Sequence, residues 1–214
     1  MILGVIPARG GSKGIKRKNL KEIYGKPLIY WSIKAAKESR LLNRFIVSTE
    51  DEEIKSVARR FGAEVLDRPK YLARDYATTL SVLQHVIKKI NGVDAVVLLQ
   101  PTSPIRCNNL IDRCIKKFLE SAVDTLATGF NCYQYEWGTT QNTPRQKLRG
   151  WFYDDGNVYV LKAANIKKGM WVGGKKCQMI VEKIYNFEID DETDFLIVEM
   201  LMRKFLSQNM KRKK

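Results

Sequence analysis

The segment ARGGSKG at residues 8–14 combines three glycines with two cations directly after a short apolar run. Glycine allows the backbone to aim its N–H groups at an anion, while arginine and lysine supply positive charge. Arg17 and Lys18 follow soon after and add to this charge. The segment matches neither the dinucleotide-binding fingerprint GxGxxG nor the ordinary P-loop pattern. The segment 8–14 is therefore typical of a triphosphate site. The alternative interpretation is a glycine turn with basic side chains that lie on the surface by chance.

A second polar segment, QPTSPIR at residues 100–106, follows a buried apolar run. Gln100 offers both a donor and an acceptor, which suits the edge of a nucleobase. Thr102, Ser103 and Arg106 carry groups that could hold the hydroxyls and the carboxylate of a ligand. A proline-rich turn with polar caps is the alternative interpretation of this segment.

Two carboxylates near the end of the chain, Glu188 and Asp190, are separated by one residue. If this segment is extended, the two side chains lie on the same face. Mg²⁺ is a hard cation that prefers oxygen ligands and keeps several waters, so a carboxylate pair beside a polyphosphate loop predicts a magnesium site. The acids that follow at 191–194 are predicted to begin a helix, because negative charge suits a helix N-terminus.

Composition narrows the class of protein and the partners that it can bind. With 214 residues, of which 44% are hydrophobic and 29% charged, the chain is predicted to be a soluble globular protein without a membrane span or an export signal. The net charge of +15 favours an anionic partner, with polyphosphate and nucleic acid as candidates. The basic run at 211–214 is predicted to be solvated. The four widely spaced cysteines predict reduced cytoplasmic thiols rather than a zinc site.

The elements that must position these residues follow an alternating pattern. Short apolar runs alternate with segments of helical period, which predicts βαβ units and a mainly parallel α/β sheet. Ligands bind beyond the carboxyl ends of such strands, where the segments 8–14 and 100–106 fall. The predicted strands are 2–8, 44–48, 63–66, 95–100 and 125–128, and the predicted helices are 27–39, 51–61, 79–89 and 109–120.

The alternation of apolar runs and helical segments ends at about residue 130. The segment 134–150 is polar and aromatic without a helical period, and 151–161 is predicted to be a hairpin that turns at Asp154-Asp155-Gly156. A last strand is predicted at 179–189 and a core helix at 191–206. We therefore predict one domain over 1–214, with an insertion at about 131–175.

In combination and in this order, IPARGGSKGIKRKNL, LLQPTSPIR and FEIDDETDF resemble the motifs of the CMP-N-acetylneuraminate synthetase family of cytidylyltransferases. The resemblance covers most of the chain. It implies a three-layer, Rossmann-like fold of the nucleotide-diphospho-sugar transferase type, with a mainly parallel sheet and a small β-hairpin insertion. It also implies that the anomeric hydroxyl of a sialic or other nonulosonic acid attacks the α-phosphorus of CTP with Mg²⁺ and releases pyrophosphate. A cytoplasmic homodimer is expected.

The resemblance also assigns roles to residues. Arg9, Lys13 and Lys18 are expected to be the catalytic cations on the triphosphate, and Arg68 to contact the base. Glu188 and Asp190 are expected to bind Mg²⁺, although the family pattern has two aspartates at these places. Further CTP ligands are expected at Gly10, Gly11, Ser12, Asn19 and Gln100, and sugar ligands at Gln100, Thr102, Ser103, Arg106, Asn157, Tyr159 and Trp171.

The sequence departs from the family pattern elsewhere. Lys16 replaces a frequent proline beside the phosphates, and Val172 replaces an aromatic residue in the segment that shapes the sugar pocket. The segment 134–150, which in the family helps to form a dimer and reaches the partner's sugar site, is short. Legionaminic, pseudaminic or 3-deoxy-octulosonic acid therefore remains an alternative substrate. A non-catalytic protein that binds nucleotide or nucleic acid is the alternative of another class.

Overall fold

The computed structural model describes residues 1–139 and 142–212, with side chains as far as residue 205. Within this part of the chain, a seven-stranded sheet and a separate two-stranded sheet combine with six α-helices and four short 3₁₀ turns. The strands are β1 (Ile2–Pro7), β2 (Glu22–Ile23), β3 (Lys26–Pro27), β4 (Arg44–Thr49), β5 (Glu64–Asp67), β6 (Ala95–Leu98), β7 (Thr125–Cys132), β8 (Trp151–Lys162) and β9 (Lys176–Ile180). The helices are α1 (Leu28–Glu38), α2 (Glu52–Arg60), α3 (Thr79–Lys89), α4 (Leu110–Glu120), α5 (Ala163–Lys167) and α6 (Glu192–Arg212).

The order of the main sheet confirms the predicted α/β architecture. The strands lie in the order β5-β4-β1-β6-β8-β7-β9, and β2 pairs only with β3. The four neighbours β5, β4, β1 and β6 run parallel, β8 is antiparallel to both of its neighbours, and β9 is parallel to β7. The carboxyl ends of four parallel strands therefore meet along one edge.

Both faces of the sheet are covered, which explains the continuous apolar runs of its central strands. On one face, Ile6 of β1 and Val97 of β6 pack with residues of α1, α2, α4 and α6. On the other face, Leu3 and Val5 pack with α3 and α5. Two helices begin at side-chain caps: Asp51 accepts from the N–H of Ile54, and Thr78 accepts from that of Ser81.

The predicted hairpin at 151–161 is wrong, because these residues form the single strand β8. This strand pairs with β7 along most of its length and also with β6. Gly156 has φ of 64° and lies where the register between β7 and β8 shifts. A glycine in this conformation serves a hairpin turn or a β-bulge equally well, and here it forms an irregularity within one strand.

The predicted strand at 179–189 is also wrong. Strand β9 ends at Ile180, a 3₁₀ turn follows at Lys183–Tyr185, and the residues up to Ile189 are irregular. Tyr185 and Ile189 are buried in the core, so the apolar residues of this segment pack there without pairing in a sheet. Glu188 and Asp190 consequently lie on an irregular segment before α6.

Other sequence predictions have different outcomes. The division into one domain with an insertion at about 131–175 stays a prediction, although β8 belongs to the main sheet. Residues 140–141 of the segment 134–150 lie outside the described residues, as do the side chains of the basic run 211–214. Of the helices described, none has both the length and the apolar composition needed to cross a bilayer.

The packing of α3 leads to a first prediction. Leu83 on this helix is fully buried, whereas Leu119 on α4 is 58% exposed. Leu83→Ala removes buried apolar volume and should lower the free energy of unfolding in urea by about 3 kcal/mol. The matched control Leu119→Ala should change it by less than about 0.5 kcal/mol. Equal losses would contradict the described position of α3.

Candidate active site

A groove with a volume of about 400 Å³ lies beyond the carboxyl ends of β1, β4, β5 and β6. Such an edge is the usual ligand site of an open α/β sheet. Five cations and two carboxylates line the groove, so its wall has an excess of positive charge. The polar lining consists of Arg9, Ser12, Lys13, Lys18, Asn19, Arg68, Arg74, Asp75, Thr79, Gln100, Thr102 and Asp190.

The glycine-rich loop is tied to the connection between β4 and α2. The N–H of Gly10 donates to Oε1 of Glu50 at 2.8 Å, and Nδ2 of Asn19 donates to the carbonyl of Arg9 at 2.9 Å. A Cβ on Gly10 would collide with the carboxylate of Asp51, so glycine permits this close approach. The N–H of Gly10 donates to Glu50 in this structure, and its contact with CTP stays a prediction. Gly11 is exposed at the outer side of the loop.

The same loop contacts the acidic segment near the end of the chain. Nζ of Lys18 donates to the carbonyl of Ile189 at 2.6 Å and lies 3.8 Å from Oδ1 of Asp190. Burial lowers the pKa of Lys18, while Asp190 and then Glu188 oppose this shift. A Cβ on Gly14 would collide with the carbonyl of Asp190. The structure therefore brings the predicted phosphate cations and a predicted metal ligand into one groove.

Arg9 and Lys13 share one carboxylate that sequence reasoning missed. Nη1 of Arg9 lies 3.0 Å from Oδ1 of Asp75, and Nζ of Lys13 lies 2.7 Å from Oδ2 of the same residue. The hydrogen bond from Lys13 is the largest cause that lowers the pKa of Asp75. In this state an internal carboxylate takes the place predicted for a phosphate. Asp75 follows β5, so the rule of ligand sites at strand ends could have drawn attention to it.

Arg68 lies deeper in the groove than the other cations. It is buried, and its guanidinium donates to the carbonyl of Ser48 and to Oγ of the same residue. Burial lowers the pKa of Arg68 to about 10, and Glu50 opposes the shift. Arg68 nevertheless lines the groove. Its hydrogen bonds to Ser48 hold the guanidinium in one position, and this position is compatible with the predicted contact with a nucleobase.

Glu188 lies next to the irregularity in β8. Its Oε1 accepts from Oγ of Ser103 at 3.3 Å, and a Cβ on Gly156 would collide with that same oxygen. Burial, and then the charge of Asp190, raises the pKa of Glu188 to about 7. The left-handed conformation of Gly156 thus allows the β8 backbone to pass directly beside this carboxylate.

The carboxylates of Glu188 and Asp190 form the candidate Mg²⁺ site. The described residues contain no group of three or more His, Cys, Asp or Glu side chains that could hold a metal ion. Mg²⁺ usually takes only one or two protein carboxylates together with substrate phosphates and waters. Glu188 and Asp190 lie close enough for one to raise the pKa of the other, and Asp190 lines the groove. The pair therefore fits Mg²⁺.

Three of the predicted sugar ligands lie behind the wall of the groove. Ser103, Arg106 and Asn157 are buried, and their hydrogen bonds go to other protein groups. Nδ2 of Asn157, for example, donates to the carbonyls of Ile105 and Tyr185, both at 3.0 Å. These hydrogen bonds connect the segment 100–106 to β8, Oδ1 of Asn157 has no partner among the described residues, and the predicted contacts with a sugar stay predictions. Thr102 does line the groove.

The last two predicted sugar ligands, Tyr159 and Trp171, form a pair outside the described lining of the groove. Their ring centroids are 5.2 Å apart in an edge arrangement. The hydroxyl of Tyr159 donates to Oδ2 of Asp154 at 2.7 Å. Tyr159 belongs to the core cluster formed with α3 and α5, and Trp171 packs against it. Arg74 and Thr79 are further groove residues that sequence reasoning missed.

Comparison with known proteins places this geometry in context. A family model described as cytidylyltransferase matches residues 3–145. N-acylneuraminate cytidylyltransferase A from Danio rerio is 30% identical over 220 residues, which cover 95% of this chain and 51% of that protein. Pseudaminic acid cytidylyltransferase from Campylobacter jejuni is 38% identical over 124 residues, which cover 56% of this chain and 53% of that protein. The matched regions span about half the length of each of these relatives.

A solved structure shows the same fold. It is described as CMP:2-keto-3-deoxy-manno-octonic acid synthetase complexed with CTP, and it aligns with a TM-score of 0.75 at 14% identity. The alignment covers 95% of this chain and 98% of that one. The likeness confirms the predicted fold class, a Rossmann-like sheet flanked by helices.

The contact at Gly156 leads to a prediction with a close control. Gly156 and Gly25 both have positive φ, but a Cβ on Gly25 would meet nothing within 4 Å. Gly25→Ala should cost about 1 kcal/mol of unfolding free energy from backbone strain alone. Gly156→Ala should cost about 1–3 kcal/mol more, because its methyl group overpacks against Glu188. Urea denaturation measures both, and equal losses would contradict the described contact.

The ion pairs of Asp75 lead to a prediction about anion binding. Asp75→Asn removes the carboxylate that competes for Arg9 and Lys13, so inorganic tripolyphosphate should bind about two- to fivefold more tightly at low salt, as measured by calorimetry. Glu120→Gln makes the same change of charge on α4, where Glu120 pairs with Lys116, and should leave the affinity unchanged. An affinity of Asp75→Asn no higher than that of this control would show that Asp75 does not compete with the anion.

Proposed function

The chain belongs to the cytidylyltransferase family, and from this premise we propose that it activates a nonulosonic acid by transferring CMP from CTP to the anomeric hydroxyl. The observation that carries the proposal is the groove in which Arg9, Lys13 and Lys18 meet beside the carboxylates Glu188 and Asp190. The names of two relatives give N-acylneuraminate and pseudaminic acid as substrates. Both compounds are nonulosonic acids, which supports this substrate class.

The proposed reaction is a displacement at phosphorus. The anomeric oxygen forms a bond to the α-phosphorus of CTP, the bond from that phosphorus to the bridging oxygen of the β-phosphate breaks, and pyrophosphate leaves. Such chemistry depends chiefly on positioning and on neutralising negative charge. Arg9 and Lys13 exchange Asp75 for phosphate oxygens, and Lys18 is already held in the groove by the carbonyl of Ile189.

Recognition of the nucleoside falls to the deeper part of the groove. Arg68 is fixed there by Ser48, and Gln100 presents an amide that can donate and accept at a base edge. A volume of about 400 Å³ is in the usual range for small-molecule sites. Asn19 and Ser12 line the phosphate side, which supports their proposed contacts with CTP.

The sugar acid is proposed to bind at the acidic end of the groove. Thr102 lines the groove, and Tyr159 packs against Trp171 and donates to Asp154 of the same strand. Glu188 and Asp190 would hold Mg²⁺, since their mutual repulsion is relieved by a cation. When bound, this ion supplies positive charge to the reacting phosphate.

We also propose that the protein is a homodimer. The outer ends of β7 and β8 and the segment that follows β7 carry a patch of exposed aromatic rings, and such patches are typical of protein interfaces. Trp137 is 94% exposed, which is unusual for a large apolar side chain in a monomer. The family resemblance places the dimer contact in the same part of the chain. The patch consists of Tyr133, Tyr135, Trp137, Trp151 and Tyr153.

We propose a cytoplasmic location because the cysteines are not in disulfides. All four are unpaired, and two of them are buried. Burial raises the pKa of the Cys114 thiol to about 12, which keeps the thiol protonated and unreactive. Unpaired cysteines are typical of proteins in a reducing compartment.

The proposed function is tested by incubating the purified protein with CTP, Mg²⁺ and separate nonulosonic acids, and by measuring pyrophosphate release. The panel contains N-acetylneuraminic, legionaminic and pseudaminic acid, with 3-deoxy-octulosonic acid as a shorter competitor. Turnover with at least one nine-carbon acid is expected. CTP binding without turnover on any acid would instead support a non-catalytic nucleotide-binding protein.

Metal binding leads to a prediction about Asp190. Its side chain is 83% exposed, so Asp190→Asn should leave the free energy of unfolding nearly unchanged. Loss of a metal ligand should raise the Mg²⁺ concentration for half-maximal turnover by about tenfold or more.

The matched control for this prediction is Asp191→Asn. Asp191 accepts from the N–H groups of Thr193 and Asp194 at the start of α6, and asparagine caps a helix about as well as aspartate. The control should therefore keep the wild-type Mg²⁺ dependence. A normal Mg²⁺ requirement in Asp190→Asn would remove this residue from the proposed metal site.

A further inference from the structure

We propose that Arg106 is a positioning residue that holds Gln100 and Glu188 in place from behind the groove, an inference that rests on the proposed function. Its guanidinium spans three parts of the chain. Nη2 donates to the carbonyl of Gln100 at 2.7 Å and to that of Asn157 at 2.8 Å, where Nε also donates at 3.0 Å. Nη1 donates to Oγ of Ser32 on α1 at 2.9 Å.

The burial of the Arg106 guanidinium is energetically unfavourable unless other interactions offset it. Arg106 is only 8% exposed, and the transfer of an isolated charge into a protein interior is unfavourable unless hydrogen bonds and opposite charges offset it. Burial lowers the pKa of Arg106, and the negative charges of Asp155 and then of Glu188 oppose this shift. An apolar residue would fill the same space without this cost, but it would make none of the bonds to the two carbonyls.

The bonds of Arg106 belong to a larger buried network behind the groove. Oγ of Ser103 contacts Oε1 of Glu188 at 3.3 Å and the carbonyl of Asp155 at 3.4 Å. The N–H of Ile189 donates to the carbonyl of Thr102 at 2.9 Å. The segment 100–106, the irregular part of β8 and the segment 185–189 are thus joined directly. A shift of the first segment therefore moves Gln100 and Glu188 together.

The cations Arg9 and Lys13 on the phosphate side of the groove lie outside this network, and Lys18 meets it only at Ile189. Arg9 and Lys13 are held by Asp75, and Lys18 is held by the carbonyl of Ile189. None of the hydrogen bonds described for Arg106 reaches the glycine-rich loop. Loss of Arg106 should therefore weaken binding of the nucleoside and the sugar acid at Gln100 and of Mg²⁺ at Glu188, while tripolyphosphate, which contacts chiefly Arg9 and Lys13, still binds nearly normally.

Arg106→Lys is the central variant, because it keeps the charge while a single ammonium cannot reproduce the planar, multiply donating guanidinium. The KM for CTP, the KM for the sugar acid and the Mg²⁺ concentration for half-maximal turnover should each rise about tenfold, as is usual when a supporting contact is lost. The tripolyphosphate dissociation constant should stay within about twofold of the wild-type value. Amide hydrogen exchange should become faster in peptides spanning 99–106 and 185–191, and stay unchanged in β4.

Ser32→Ala is the matched control. It removes the partner of Arg106 on α1 but leaves both backbone carbonyl acceptors in place. It should lower stability slightly and leave the KM for the sugar acid at the wild-type value. Ser103→Ala is the second positioning variant, for use if Arg106→Lys fails to fold. It should raise the Mg²⁺ requirement, because Ser103 joins Glu188 to β8.

The outcomes separate this inference from the proposed function. Absence of turnover in the wild-type protein with every acid would overturn the proposed function, and hydrogen exchange would still decide whether Arg106 positions the two segments. Unchanged exchange in Arg106→Lys at these peptides would overturn the inference. So would a change of kinetics in Ser32→Ala equal to that in Arg106→Lys, because a general loss of stability would then explain both.

Discussion

Mutual repulsion between cations is the constraint that shapes the groove. Arg9, Lys13, Lys18 and Arg68 line one cavity, and like charges at short range destabilise a folded protein unless other groups neutralise them. The structure meets this constraint locally. Asp75 pairs with Arg9 and Lys13. Backbone carbonyls accept hydrogen bonds from Lys18 and Arg68.

Glycine determines how closely the acidic side of the site can approach the cations. Gly14 allows the carbonyl of Asp190 to lie against the loop, and Gly156 allows the backbone of β8 to lie against Glu188. In each case a Cβ would collide with the group that it faces. The contact of Gly14 with Asp190 joins segments from opposite ends of the chain, as does the bond from Lys18 to Ile189 across 171 positions.

The sequence predicted the parts of the structure that depend on local patterns. Apolar runs and helical periods located the helices and the strands of the main sheet up to Cys132 but missed the short strands β2 and β3, and the glycine-rich loop follows β1 as predicted. The prediction failed where the same local signal serves two structures. Asp154-Asp155-Gly156 is compatible with a hairpin turn or with a break in register, and only the pairing of β8 with β6 and β7 decides between them. Arg106 is a similar case: its chemistry suits a ligand carboxylate, but its direction is set by tertiary contacts.

The two sides of the groove are held by different kinds of interaction, and this difference has consequences for binding. On the side proposed to bind the triphosphate, Lys13 and Asp75 are largely exposed, and such ion pairs are weak, screened by salt and easily exchanged. On the side proposed to bind the sugar acid, Ser103, Arg106 and Asn157 are buried with geometrically fixed hydrogen bonds. Exposed pairs can adjust to a flexible anion, whereas a buried network cannot adjust without loss of its bonds. Under the proposed function, anion binding should therefore depend on charge and salt, and discrimination between sugar acids should depend on shape.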